Sequence, residues 1–155
     1  KLRTTLSTLS ESLVMTFQSE HWTKLTEEEL AEWQALAPNF SPKEIASKGD
    51  GSIVVIKEAL KALQRMRDIA DRPLTINSGY RDPAYNRAVG GVLNSQHTRG
   101  RAFDIHIANS EEGRELERIA EDVGFTAIGR YPTFIHVDMR PPKSNGGGYR
   151  WGSWK

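Results

Sequence analysis

The feature that most limits the fold is a change of period at Leu74. Before it, apolar residues recur at steps of three and four, the spacing of one helix face. After it they come in short alternating runs bounded by Gly, Pro, Asn and Ser, the spacing of half-buried strands. Helices first and strands later predict an α+β domain: N-terminal helices followed by a small, mainly antiparallel sheet.

In the helical half, Leu2, Leu6, Leu9, Leu13 and Phe17 form one stripe. Thr26 and Glu29 make a capping box ahead of Leu30, Trp33 and Leu36, and Pro38 closes that helix. Residues 39–52 read as loop, and 53–71 as one long helix with Ile56, Leu60, Leu63 and Ala70 along its apolar side. In the second half, strands are predicted at 74–76, 102–107, 126–128 and 134–139. Helices are predicted at 83–89 and 110–123, the latter stopped by Gly124. The tail from Pro141 reads as irregular. Nothing marks an internal boundary, so residues 1–155 read as a single domain, with 1–38 as a helical extension and 39–152 as the core.

Composition narrows the partners. Twenty-one Lys and Arg against 20 Asp and Glu leave a net charge of +1, with no electrostatic signature for nucleic acid. No apolar run reaches the roughly 18 residues of a membrane span. The chain reads as a monomer. It has no cysteine, so any metal must be held by His, Asp, Glu or backbone oxygen.

Two of the four histidines stand in informative surroundings. His97 lies in a polar loop, and the turn at Gly100 returns the chain into a strand carrying Asp104. His136 and Asp138 alternate with apolar residues in Phe134-Ile135-His136-Val137-Asp138, so both project from one sheet face. A catalytic zinc site keeps three protein ligands and one open position, and His97, Asp104 and His136 could supply such a set.

These segments resemble the M15 peptidases, the group of D-alanyl-D-alanine carboxypeptidases and L,D-endopeptidases. Ser95-x-His97-x-x-Gly100-x-Ala102-x-Asp104 resembles the first metal motif of that family, and Ser78-Gly79-Tyr80-Arg81 the segment that precedes it. Phe134 to Asp138 resembles the last motif of its M15A-like branch. The likeness runs from about Phe40 to Trp151. It includes Asn39 to Pro42, Asn86 to Gly91, and Arg150-Trp151-Gly152.

The resemblance implies a fold like that of the D-Ala-D-Ala peptidases and the related Hedgehog domain. It implies a Zn2+ cofactor bound by His97, Asp104 and His136, with Asp138 a competing ligand; neutral imidazole suits zinc and favours His136. It also implies hydrolysis of peptide bonds in peptidoglycan stem peptides or cross-links, by a carboxypeptidase or an endopeptidase. Arg81 would bind substrate and stabilise developing negative charge. Ser95 and His106 are further candidate substrate contacts. Some relatives carry an acid three residues before the last His, where this chain has Thr133. The general base is therefore expected to be Asp138, with His106 next. Asp138 has an alternative role, orienting His136. The missing acid also supports a rival reading, a zinc-stabilised module that binds peptidoglycan without cutting it. The expected place of action is the periplasm or cell wall, reached by export or by release during phage lysis.

Overall fold

The computed structural model describes residues 15–155. The stripe from Leu2 to Leu13, and with it residues 1–14 of the expected helical extension, lie outside the described residues. Phe17 does not continue a helix. It sits in strand β1 (Thr16–Ser19), which pairs antiparallel with β2 (Ile53–Ile56). Helix α1 (Glu27–Leu36) follows, opened by the Thr26/Glu29 capping box, and α2 (Pro42–Ile45) carries a second box from Ser41 and Glu44. A short helix thus interrupts the stretch expected to be loop. The long helix expected from residue 53 begins four residues later. Ile53 to Ile56 are all β-branched and prefer the strand, and α3 spans Lys57–Ala70.

Beyond α3 the order is β3 (Ile76–Ser78), α4 (Pro83–Ala88), β4 (Ala102–His106), α5 (Ser110–Val123), β5 (Ala127–Arg130), β6 (Phe134–Asp138) and β7 (Tyr149–Gly152). Asn109 caps α5, and Gly124 ends it with φ 107°, a conformation that suits glycine. The sheet order is β3-β4-β6-β5-β7. All pairs are antiparallel except β5 with β7, so the tail expected to be irregular adds a parallel edge strand.

The sheet has two unlike faces. Phe103 and Ile105 of β4 and Ile135 and Val137 of β6 join the core, where α3 packs on α5 and α5 on β5 and β6. Leu60, Leu63 and Met66 of α3 and Leu116 of α5 are fully buried there. Each such side chain contributes about 1.5–3 kcal/mol by leaving water. The opposite face carries Asp104, His136 and Asp138, because side chains alternate along a strand. No helix among the described residues is long and apolar enough to cross a membrane.

Candidate metal centre

Register brings the central residues together. Asp104 of β4 is directly opposite His136 of β6, and Ala102 opposite Asp138. His97 arrives from a 3-10 turn (Gln96–Arg99) that Ser95 caps by accepting a hydrogen bond from the His97 amide. Gly100, at φ 71°, lets the chain double back toward β4 within close reach of the Val54 carbonyl. One ligand-type atom each from His97, Asp104 and His136 lies within 4.8 Å of the others, and all three residues are buried.

The ring nitrogens are assigned by their outer partners. His97 Nδ1 is 2.7 Å from the Gly79 carbonyl, which can only accept, so Nδ1 carries the proton. His136 Nε2 is 2.7 Å from Asp138 Oδ2 and donates to that carboxylate. The inward atoms are then His97 Nε2, 3.2 Å from Asp104 Oδ1, and His136 Nδ1, 2.8 Å from the same oxygen. Two imidazole nitrogens and a carboxylate oxygen facing one another form a set that a cation would complete. The donor set, two nitrogens and one carboxylate with their outer sides already bonded, fits zinc.

The carboxylates are strongly perturbed. Burial disfavours charge on Asp104, yet the neighbouring imidazoles of His136 and His97 outweigh it and hold the carboxyl well below the usual range. Burial likewise opposes the Asp138 charge, but Arg140 and His136 pull its pKa down to about 2. Arg140 grips Asp138 at 2.9 Å through Nε and 2.6 Å through Nη2. For His136, burial disfavours the imidazolium, and contacts with Asp104 and Asp138 more than offset it, raising its pKa.

Arg81 stands beside the cluster. Its Nη2 lies 3.5 Å from Asp104 Oδ2, its Nε donates to Ser78, and Nη1 donates to Asn86. Buried Asn86 also donates to the Val92 carbonyl. A Cβ on Gly91 would come within 2.0 Å of Asn86 Oδ1, so glycine is needed to keep this brace closed.

A cleft of about 390 Å³ opens over the cluster, walled by Arg81, Tyr131, Phe134, Arg140 and Trp151 and including Ser95. A second cavity of about 270 Å³ shares Arg81, Asp104 and Phe134 and extends past Ser78 and Tyr85. His106 is exposed at the end of β4, opposite Phe134, and lines neither cavity. Thr133 is exposed in the β5–β6 turn. The sequence reading overlooked Arg140 and Tyr131. Arg140 follows Asp138 by two residues, the spacing at which an arginine can fold back onto a carboxylate. Tyr131 is adjacent to the hairpin and carries no comparable signal. Trp151 packs against the sheet and lines the cleft at once. Its ring lies 5.3 Å from that of His136 and covers Gly129, where a Cβ would come within 2.6 Å of the indole.

A sequence profile of the peptidase M15 family matches residues 24–138, well over half of the chain. The chain belongs to the M15 peptidase family. The M15 match takes in Arg81, His97, Asp104, His136 and Asp138, and ends before Arg140 and Trp151. The chain is also similar to the zinc D-Ala-D-Ala carboxypeptidase of Streptomyces albus G, 42% identical over 67 residues. That alignment covers 43% of this M15 chain and 26% of the relative.

Proposed function

We propose that this protein is a zinc peptidase that hydrolyses peptide bonds in the stem peptides or cross-links of bacterial peptidoglycan, acting outside the cytoplasm. The observation that carries the reading is the convergence of His97 Nε2, His136 Nδ1 and the Asp104 carboxylate, with both outer ring nitrogens already bonded. The zinc D-Ala-D-Ala carboxypeptidase likeness supports the substrate class.

Zinc held by those three residues supplies Lewis acidity toward a carbonyl and an activated water. Arg81, braced by Ser78 and Asn86, offers fixed positive charge at the edge of the cluster, suited to a substrate carboxylate or a developing oxyanion. Ser95 shapes the loop that delivers His97. Asp138 takes the orienting role and not that of base, because both its oxygens are already bonded and its basicity is low. Two cavities share Arg81, Asp104 and Phe134, which suits a peptide that extends past the cluster better than a single pocket closed around its end.

A second reading, a zinc-stabilised module that binds peptidoglycan without cutting it, is favoured by one observation. Among the residues lining the two cavities, the sole carboxylate is that of Asp104, which faces His97, His136 and Arg81. Incubating zinc-loaded protein with purified peptidoglycan and mapping new amino termini by mass spectrometry separates the two. New termini within cross-links support the endopeptidase, loss of terminal D-residues the carboxypeptidase, and intact wall with bound protein the module.

A further inference from the structure

Tyr131 lies at the start of the turn between β5 and β6, and its amide donates to the Phe134 carbonyl. Its ring stacks on Phe134 with centroids 4.3 Å apart and planes 7° from parallel. Phe134 projects from the same face of β6 as His136 and lines both cavities. The stack therefore holds the phenol over the cleft in one orientation.

The hydroxyl is fixed as well. Trp151 Nε1 donates to it at 2.9 Å. An indole N–H only donates, so the phenolic oxygen must accept, and its own hydrogen is left to point elsewhere. No acceptor for that hydrogen is found among the described residues. Tyr131 thus presents an oriented, unspent O–H donor to a cleft that also holds His97, Asp104 and His136. Trp151 is itself locked, since it lies over Gly129 and beside His136.

We infer that Tyr131 is a catalytic residue that donates its hydroxyl hydrogen bond to the carbonyl oxygen of the scissile peptide as negative charge builds there. This rests on the peptidase reading. A donor aimed at an oxyanion acts mainly in the transition state, where a preorganised donor is worth about 10²–10³ in kcat. Trp151 is a positioning residue for it. The arrangement also accounts for a site in which Arg81 has partners for every nitrogen of its guanidinium.

The test compares wild type with Tyr131→Phe, which keeps the ring stack and removes only the hydroxyl. Both are loaded with zinc and measured three ways: bound zinc per chain, kcat and KM on a soluble peptidoglycan fragment, and Ki for a phosphinate peptide that mimics the tetrahedral state. Unchanged zinc and KM, with kcat lower by about 10² and Ki weaker by a similar factor, are expected. Equal kcat and Ki in the variant would overturn the assignment, and so would a parallel loss of zinc, which marks a structural role. If wild type cuts no fragment, the peptidase reading fails first. The phosphinate Kd of the two proteins, measured directly by calorimetry, then still decides whether Tyr131 meets a tetrahedral oxyanion, and no phosphinate binding by wild type rejects both.

Discussion

One imidazole spans two carboxylates: His136 sits 2.8 Å from Asp104 through Nδ1 and 2.7 Å from Asp138 through Nε2. Asp104 belongs to the proposed metal set, whereas Asp138 is completely buried and gripped by Arg140. The two acids are therefore held differently although both touch one ring. Asp138→Asn keeps the shape but weakens the hold on the Nε2 proton. Zinc affinity should fall by about 10–100-fold, read by chelator competition. Unchanged zinc affinity with a collapse of kcat would instead give Asp138 the base role.

Zinc binding should weaken in mild acid. His97 and His136 must present bare nitrogens to the metal, and protons compete for them. The contacts from Asp104 and Asp138 that raise the His136 pKa make protonation set in at higher pH than for an ordinary imidazole. A titration of zinc affinity from pH 8 to pH 5 should show a steady loss. His97→Ala should bind little zinc even at pH 8, and full occupancy in that variant would remove His97 from the ligand set.

Arg81 should matter for turnover and not for zinc. Its guanidinium touches Asp104 at 3.5 Å, longer than a good charged hydrogen bond, while Ser78 and Asn86 fix its direction. Arg81→Ala should retain metal and fold while kcat/KM on peptidoglycan fragments drops by about 10² or more. Near-normal kcat/KM would return Arg81 to a supporting role.

The Asp138–Arg140 pair should set an acid limit on stability in the metal-free protein. A carboxyl lowered to about 2 in the folded state contributes stability above its unfolded pKa of about 3.9, and that contribution is lost as pH falls through about 2. Denaturant unfolding should show a loss of about 2 kcal/mol between pH 4 and pH 2. Arg140→Gln removes the main partner, so less stability should remain to be lost across that window. An identical pH profile in the variant would show that the pair is not the source.

Much of this molecule was written locally. The Thr26/Glu29 box, Gly124 at the end of α5, and the alternation in Ala102–His106 and Phe134–Asp138 are short-range signals, because capping and the two-residue repeat of a strand act within a few residues. The same motifs named His97, Asp104, His136 and Arg81 and carried the family. What failed needed partners far along the chain. Ile53–Ile56 became strand because β1 was there to pair with it, and Tyr149–Gly152 because β5 offered a free edge more than twenty residues away. The contacts of Asp138 and Trp151 likewise became visible only in space. Sequence could show that Asp138 shares a face with His136, but only the packed structure put Arg140 on its oxygens and Trp151 against Tyr131. Period and capping are properties of neighbours in the chain, whereas hydrogen-bond partners across a sheet depend on register and topology, which no single segment contains.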